Sequence, residues 1–228
     1  MIPKFSIIIP VFKEDKLINN TIQYIKNLKD NNKAEIIIVD GDQKKSTIKS
    51  IEDKNVVMIS SIKQRATQMN MGAEKAKGDI LIFLHADTKL PKDCFKIIDN
   101  IINNKKYNAG AFDLGIDSKK IIYKIIGFIS SIRSQVTRIP YGDQAFFIKK
   151  VYFFKIGKFK NIPIMEDVEI MQRIKKRKDK IFIANQKVRT SDRRWEKEGI
   201  IRCTLRNWKL IILYYLGISP EKLIKFYK

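Results

Sequence analysis

The chain has 228 residues, of which 44% are hydrophobic, so it can bury one sizeable core and is not a disordered protein. Its 46 Lys and Arg residues against 24 Asp and Glu residues give a net charge of +22. That excess would attract nucleic acid, anionic lipid or phosphorylated small molecules, although a composition rich in Ile, Lys and Asn is the simpler explanation.

Cysteine spacing and the length of apolar runs bear on the cellular setting. Cys94 and Cys203 lie far apart without metal-ligand spacing, which predicts neither a disulfide framework nor a zinc site and fits a reducing cytoplasm. Residues 5–12 form a short apolar run interrupted by Pro10, unlike an export signal. Residues 210–218 are about half as long as the ~20 residues of a spanning helix. We therefore expect a cytoplasmic protein, in solution or peripheral to the inner face of the membrane.

Short β-branched runs alternate with helical patterns along the first half of the chain. The predicted strands are residues 5–11, 35–39, 56–59 and 79–84, and the predicted helices are residues 17–28, 46–52, 64–76 and 92–102. Parallel strands that are covered on both faces lose polar alternation, so this pattern predicts βαβ units around a mostly parallel sheet. The predicted fold class is therefore α/β and Rossmann-like, with helices flanking a central sheet.

The second half of the chain predicts fewer strands and longer helices. Further elements are a strand at residues 107–116, a helix at 119–133, a turn at 140–144 before a short apolar run at 145–148, a helix from Glu166 and an amphipathic helix at 201–215. This half predicts a smaller region beside the parallel sheet.

Polar residues follow three of the predicted parallel strands. Glu14 follows the first strand, Asp40 ends the second, and His85 and Asp87 follow the fourth. A single carboxylate at a strand end is commonplace as a turn former or helix cap. Ligands of such sheets bind beyond the carboxyl ends of the strands, so three polar ends together favour a binding site.

The usual phosphate-binding loops are missing from the sequence. Neither Gly-x-Gly-x-x-Gly after the first strand nor a Walker-type Gly-Lys-Ser/Thr is present, so a phosphate ligand would need a metal ion or basic side chains. A carboxylate such as Asp87 suits Mg²⁺ or Mn²⁺, and a nearby imidazole shifts the preference toward Mn²⁺.

An ordered set of motifs carries a resemblance. FSIIIPVFKE, IIIVDGD, QRATQMNMGAEKAKGDILIFLHAD, GDQAFF, MEDVE and RRW, which together span most of the chain, resemble a family 2 glycosyltransferase of the GT-A fold. More narrowly, they resemble a bacterial subgroup that has His-Ala-Asp in place of Asp-x-Asp and is sometimes linked to arsenosugar biosynthesis. The resemblance implies one domain over residues 1–228, with a nucleotide-sugar-binding half at about 1–115 and an acceptor-binding and catalytic half at about 116–228.

The resemblance also implies a donor site for a nucleoside-diphosphate sugar of the UDP or GDP type. The residues that match its nucleotide pocket are Pro10, Val11, Glu14, Asp40, Arg65 and Asn70. Asp87 matches the second carboxylate of the metal motif and would bind Mn²⁺ or Mg²⁺. His85 replaces the first carboxylate, and it would ligate the metal, contact the ribose or be a purely structural residue.

Acidic residues of the second half match the catalytic side of the family. Asp167 matches the base that deprotonates the acceptor hydroxyl, and Glu166 is its neighbour. The residues alone leave an alternative, because acidic groups at the start of a helix and basic groups at its end complement the helix dipole. Asp143 and Gln144 would border the acceptor and the sugar, and Asp143 is equally explained as the cap of a turn.

Arg194 and Trp195 match the end of the family motif Gln-x-x-Arg-Trp, with Ser191 where Gln would stand. Arg194 would pair with the diphosphate, and Trp195 would stack on the sugar or the acceptor. Because that Gln is typical of processive members, its replacement favours a single transfer over polymer synthesis.

The helix at residues 201–215 has one apolar face, with Arg202, Arg206 and Lys209 elsewhere. A basic amphipathic helix with a Trp either lies on a membrane surface or packs on its own domain. The expected partners are therefore the donor, a small-molecule or lipid-linked acceptor, and a membrane surface contacted peripherally. Nucleic acid is not an expected partner.

The leading functional prediction is a metal-dependent, inverting glycosyltransferase. Two alternatives remain from the residues. A nucleotidyltransferase on a related α/β scaffold would release pyrophosphate instead of nucleoside diphosphate. A non-enzymatic binder of nucleic acid or lipid would explain the charge of +22, but it would leave the carboxylates without a role.

Overall fold

The computed structural model describes residues 2–227. Its strands belong to one eight-stranded sheet. They are β1 (Phe5–Val11), β2 (Ala34–Asp40), β3 (Val57–Ser60), β4 (Ile80–Phe83), β5 (Thr88–Lys89), β6 (Ala109–Asp117), β7 (Phe147–Lys149) and β8 (Ile181–Ser191).

Helices connect the strands and cover both faces of the sheet. The α-helices are α1 (Ile18–Lys26), α2 (Ser46–Ser50), α3 (Arg65–Lys75), α4 (Cys94–Asp99), α5 (Ile121–Thr137), α6 (Lys150–Lys155), α7 (Glu166–Lys176), α8 (Arg193–Glu198), α9 (Ile200–Tyr215) and α10 (Pro220–Leu223). A π-helical turn (Asn100–Asn104) continues α4, and a 3-10 turn (Gly142–Gln144) precedes β7.

The sheet order is β3-β2-β1-β4-β7-β6-β8-β5. The strands β3, β2, β1 and β4 are mutually parallel, as is the pair β6–β8, whereas β4–β7, β7–β6 and β8–β5 are antiparallel. The predicted α/β class is confirmed, and the parallel half of the sheet is the half predicted from the βαβ pattern. Because β1, β2 and β4 are parallel neighbours, their carboxyl ends lie at one edge.

The apolar runs of the strands explain why both faces of the sheet are buried. On β1, Ile7 and Ile9 pack into the cluster that contains α1 and α4, while Ile8 faces the opposite cluster with α3. All three side chains are fully buried. Alternate residues of a strand point to opposite faces, so an uninterrupted apolar run is needed where helices cover both.

The longest strand was not predicted from the sequence. The strand β8 pairs with β6 along most of its length, with an irregular register between Ala111 and Asp113, and with β5 on its other side. Its apolar start gives way to Asn185, Gln186 and Lys187, which are exposed. The polar middle of β8 therefore interrupts the periodicity from which a strand is predicted.

Within residues 2–227, none of the helices combines the length and apolar character required to cross a bilayer.

Gly110 provides a test of packing in the sheet. A Cβ at this position would lie 2.6 Å from Cζ of Phe147 and 2.7 Å from the carbonyl oxygen of Phe182. We expect Gly110→Ala to lower the free energy of unfolding by about 1–3 kcal/mol, because a strand cannot move away from its partner without breaking the ladder. Chemical denaturation measures this loss.

Gly127 in α5 is the matched control, because an added Cβ would meet only the Leu114 carbonyl oxygen at 3.6 Å. We expect Gly127→Ala to be neutral or stabilising by about 0.5–1 kcal/mol, as alanine restricts the unfolded chain more than glycine does. Equal destabilisation by the two substitutions would contradict this account of the sheet.

Candidate active site

The ends of β1 and β2 are joined by a side-chain amide. Nε2 of Gln68, on α3, donates to the carbonyl oxygens of Val11 at 2.8 Å and Val39 at 2.7 Å. The N–H of Gly41 also donates to the Val11 carbonyl oxygen, at 2.9 Å. Gln68 was not among the predicted site residues, because a buried amide on a helix has no sequence signature. It fixes the rim where Pro10 and Val11 end their strand.

Asp40 orders the loop that follows β2. Its carboxylate is fully buried and accepts hydrogen bonds from the backbone N–H groups of Asp42 at 2.9 Å and Ile48 at 3.2 Å. Asp42 in turn accepts a 2.6 Å bond from the Ser46 hydroxyl, which holds the pKa of Asp42 below its usual value. The expected contact of Asp40 with a base or ribose stays a prediction, since its oxygens lie beneath this loop.

Glu14 and Asp87 share one arginine. Two nitrogens of Arg193 donate to the Glu14 carboxylate at 3.1 Å each, and Nη2 of Arg193 lies 3.7 Å from Oδ2 of Asp87. Burial raises the pKa of Asp87, the Arg193 charge opposes this and the Glu14 charge adds to it. The sequence did not single out Arg193 as a site residue. The structure thus brings together the ends of β1 and β4 and the start of α8.

Asp87 also lines a cavity of about 240 Å³ between α1 and the end of β8. Other lining residues include Thr21, Tyr24, Arg189 and Arg193. Its wall carries three basic side chains, of Lys89, Arg189 and Arg193, against the two carboxylates of Asp87 and Asp117, and this small positive excess suits an anionic ligand.

Arg65 connects three parts of the chain. As the first residue of α3, it contacts Nε2 of His85 through its guanidinium and places its Nε 3.3 Å from Oε1 of Glu166. A Cβ on Gly142 would overlap this guanidinium, so a larger residue in the turn at 142–144 would displace the Arg65 side chain. One side chain therefore links the end of β4, the start of α7 and the turn before β7.

His85 is a neutral imidazole at neutral pH. Burial lowers its pKa well below the ordinary value, and the charges of Arg65 and Arg194 lower it further. Because a guanidinium only donates, Nε2 of His85 is the acceptor in the contact with Arg65. Ligation of a metal through this nitrogen would require that contact to break, and the other expected roles of His85 stay predictions.

The start of α7 carries two carboxylates in different environments. Glu166 is 4% exposed, and burial raises its pKa to about 7, with Asp167 adding to the rise and Arg65 opposing it. Asp167 accepts bonds from the backbone N–H of Gly142 at 2.7 Å and of Val168 at 2.8 Å. Glu166 therefore changes its protonation near neutral pH, whereas Asp167 is the carboxylate bound by backbone N–H groups.

Gln144 and Asp143 have opposite environments in the turn before β7. The amide of Gln144 is fully buried and bonded to the Phe112 carbonyl oxygen at 3.0 Å and to the Tyr141 N–H at 3.1 Å. In contrast, Oδ1 of Asp143 is buried without a hydrogen-bond partner within residues 2–227, and burial raises its pKa. Gln144 holds the turn, and Asp143 lies among the charges of Arg133, Arg65 and Asp167.

Asn70 connects α3 to the loop before α7. Its side chain donates to the Phe159 carbonyl oxygen at 2.9 Å and accepts from the Phe159 N–H at 3.1 Å. This reciprocal pair uses both polar ends of the amide. The expected contact of Asn70 with the nucleotide stays a prediction, since in this arrangement the residue acts on the loop.

Arg194 and Trp195 lie on α8 beside the C-terminal segment. The Arg194 guanidinium stacks on Tyr227, 4.8 Å from the ring centroid, and its Nε lies 3.4 Å from Glu198. Trp195 meets Tyr123 edge-on at 5.9 Å, while its indole N–H is buried and bonds to nothing in the part of the chain that the structure describes. A buried donor without a partner is uncommon in native proteins.

The side chains of this site can hold a divalent cation only together with oxygen atoms of a bound ligand. Residues 2–227 contain no group of three His, Cys, Asp or Glu side chains arranged to hold a metal ion. Mg²⁺ and similar ions commonly take one or two protein carboxylates and complete their shell with phosphate oxygens and water. Asp87 and Glu14 would supply such carboxylates only if Arg193, which pairs with both, moved away from them.

Glu166 should make stability depend on pH. Because its folded pKa of about 7 exceeds the ordinary glutamate value of 4.5, the folded chain binds more protons, and stability falls as pH rises between these values. We expect Glu166→Gln to remove this loss, so that between pH 5 and pH 8 the variant gains about 2 kcal/mol relative to the native protein.

Denaturation at several pH values measures the difference. Glu221→Gln, which changes an exposed carboxylate of α10, is the control and should keep the native pH slope because it leaves Glu166 in place. A native slope in Glu166→Gln would show that another group carries the pH dependence.

Comparison with known proteins identifies structures that share this fold. A search of curated protein sequences finds no match. Among solved structures, the chain is similar to the mannosyltransferase PcManGT from Pyrobaculum calidifontis in complex with GDP-Man and Mn²⁺, at 15% identity and a TM-score of 0.63. That similarity covers 82% of this chain and 56% of the mannosyltransferase.

The chain is also similar to S. aureus TarS 1-349, at 13% identity, a TM-score of 0.63 and coverage of 83% of this chain and 60% of TarS. For TarS in complex with UDP the identity is 14%, the TM-score 0.63, and the coverage 82% and 60%. The chain spans 56 to 60% of the length of these structures, and at such identities the likeness establishes the GT-A fold alone.

The family follows from the sequence itself. The model of Glycosyl transferase family 2 matches residues 6–162, which include the predicted nucleotide-pocket residues, His85, Asp87, Asp143 and Gln144. The match extends over more than half of the 228 residues. The chain therefore belongs to glycosyl transferase family 2.

Proposed function

We propose that this glycosyltransferase moves a sugar from a nucleoside-diphosphate sugar to an acceptor hydroxyl with the help of Mn²⁺ or Mg²⁺ and with inversion at the anomeric carbon. The observation that carries the proposal is the link through Arg65, which joins the strand end that bears Asp87 to the helix start that bears Asp167. This link supports one site in which Asp87 would serve the donor and Asp167 would be the base. The family assignment argues against the nucleotidyltransferase and the non-enzymatic alternatives.

In this proposal the donor diphosphate lies against Asp87, at the carboxyl ends of β1 and β4. Asp87 and Glu14 would hold the divalent cation, which when bound supplies positive charge to the departing diphosphate. Arg193, already within 3.7 Å of Asp87, and Arg194 provide further cations for phosphate oxygens. The solved structures with GDP-Man and Mn²⁺ and with UDP support a donor of this class.

Asp167 would be the base. A hydroxyl is too weak an acid to attack unaided, so a carboxylate oxygen removes its proton while the new bond to the anomeric carbon forms. The bond from that carbon to the diphosphate breaks with its electron pair leaving on the phosphate oxygen, and the proton stays on Asp167. The Gly142 N–H, 2.7 Å from Oδ2 of Asp167, holds the carboxylate in place.

Glu166 would keep Arg65 in position. Its buried carboxylate faces Nε of Arg65 at 3.3 Å, and its raised pKa makes that attraction sensitive to pH. Attack opposite the leaving group inverts the anomeric centre, and the inverting outcome rests on the family. Trp195 would stack on the sugar or the acceptor, and Asp143 would contact the acceptor.

The narrower parts of the proposal rest on motifs. The His-Ala-Asp triplet at residues 85–87 favours the subgroup sometimes linked to arsenosugar biosynthesis. Either UDP or GDP suits the donor, and the acceptor is a small-molecule or lipid-linked hydroxyl. The division into a donor half at about 1–115 and an acceptor half at about 116–228 belongs to the same proposal.

Donor binding tests the role of Asp87. We expect calorimetry to detect UDP or GDP only when Mn²⁺ is present, and Asp87→Asn to weaken that binding at least about tenfold, because the amide cannot neutralise a cation. Asp30→Asn is the control, since Asp30 is exposed, is paired with Lys33 and precedes the start of β2, at the edge of the sheet opposite Asp87. Metal-independent binding, or equal affinity of the two variants, would refute the metal-diphosphate assignment.

Turnover tests the role of Asp167. We expect Asp167→Asn to reduce the release of nucleoside diphosphate from the bound sugar nucleotide about 10²–10⁴-fold while leaving donor affinity near the native value. The readout is the slow transfer to water, which needs no identified acceptor, with Asp30→Asn again as control. A native rate in Asp167→Asn would remove this residue from the chemical step.

A further inference from the structure

The helix α5 exposes its large apolar side chains. The side that packs on the protein carries small or polar groups, and Ser131 donates to Asp113 of β6 at 2.7 Å. The exposed side chains of α5 are Ile121, Ile122, Ile125, Phe128, Ile129, Ile132 and Val136. Ile121 and Val136 are 73% and 77% exposed. A helix of a soluble domain normally has the reverse arrangement, so this face indicates an external partner.

The helix α9 has a second apolar face that is exposed to solvent. Its members recur at intervals of three or four residues and so lie on one side of the helix: Ile201, Leu205, Trp208, Ile212 and Tyr215. Each of these side chains is more than half exposed. The alternative that this stripe packs on its own domain is therefore wrong, because the packed side of α9 carries Cys203 and Leu210.

The helix α8 holds α5 and α9 together. The Tyr123 hydroxyl of α5 donates to Glu196 of α8 at 2.7 Å, and Arg206 of α9 pairs with Glu198 of α8 at 2.5 Å. We call the exposed apolar residues of α5 and α9 the α5–α9 surface.

The charges on these helices identify the partner. The helix α5 contains Lys124 and Arg133, α9 contains Arg202, Arg206 and Lys209, and neither helix contains an Asp or Glu. A second copy of the chain would bring like charges into contact. An anionic bilayer, in contrast, accepts apolar side chains at the boundary of its acyl chains and attracts Lys and Arg to its headgroups.

We propose that the α5–α9 surface docks on an anionic phospholipid bilayer. Phe128 and Trp208 enter the boundary between headgroups and acyl chains, and Lys124, Arg202 and Lys209, all exposed, meet the lipid phosphates.

Docking also bears on the class of acceptor, and this one consequence rests on the proposed function. The C-terminal end of α9 packs near the base, since Tyr214 lies against the buried cluster that contains Met165 and Val168, which flank Asp167 in the chain. An acceptor hydroxyl carried by a lipid would therefore reach Asp167 from the docked side. The acceptor class favoured by this geometry is lipid-linked.

Vesicle flotation tests the docking directly, with the full chain and without a nucleotide. We expect the native protein to float with vesicles in which about a third of the lipid is phosphatidylglycerol, and to bind neutral phosphatidylcholine vesicles at least about tenfold more weakly. The double variant Phe128→Glu with Trp208→Glu should lose about tenfold or more of the binding to anionic vesicles.

The matched control is Met58→Glu with Val151→Glu, which adds the same two charges at exposed apolar positions of β3 and α6. This control should bind like the native protein, and all three proteins should melt at similar temperatures because the changed side chains are exposed. Binding by the control and not by the double variant supports the proposal.

Three results would overturn it. These are no flotation of the native protein, equal flotation of the two double variants, or a native dimer that only Phe128→Glu with Trp208→Glu dissociates while vesicles remain unbound. Calorimetric binding of UDP or GDP separates this proposal from the proposed function. Donor binding without flotation refutes the docking alone, and flotation without donor binding refutes the donor site alone.

Discussion

The Arg65 guanidinium is the contact on which the geometry of the site depends. It touches His85 at the end of β4 and faces Glu166 at the start of α7, and Gly142 leaves room for it. An imidazole can accept this contact only while neutral, and burial keeps it so. His85 therefore supplies an uncharged acceptor for an arginine that also faces a carboxylate. The parallel half and the α7 region are joined at this point.

Many polar side chains at the rim form hydrogen bonds with the backbone and do not point into an open cavity. Asp40, Asn70 and Gln144 use their oxygens and nitrogens to fix loops, and Gln68 ties two strand ends together. A buried polar group that loses its partner costs about 1–3 kcal/mol, so such residues hold their loops firmly. The side chains left for a ligand are those whose polar atoms remain exposed or unpaired, such as Asp87 and the indole of Trp195.

The sequence predicted the parallel half of the sheet well, because apolar runs followed by polar ends are local patterns. It also predicted the strand ends and the helix start that carry Asp87 and Asp167. It did not reveal Arg193 or Gln68, whose importance comes from residues far away in the chain. The orientation of α5 was equally hidden, since an apolar helix has the same period whether its stripe faces the core or the solvent. The functional roles of the site residues remain predictions.

The position of β8 has a consequence for the order in which the protein folds. This strand lies between β6 and β5, although it follows β6 by more than sixty residues in the sequence. Until residue 191 has left the ribosome, one edge of β6 lacks its hydrogen-bonding partner, and pairing over such a separation is slow. During that time the unpaired apolar edge of β6 can pair with strands of other chains. Once β8 has paired with β6, this edge is covered, and the polar and basic side chains of β8 are presented in its place.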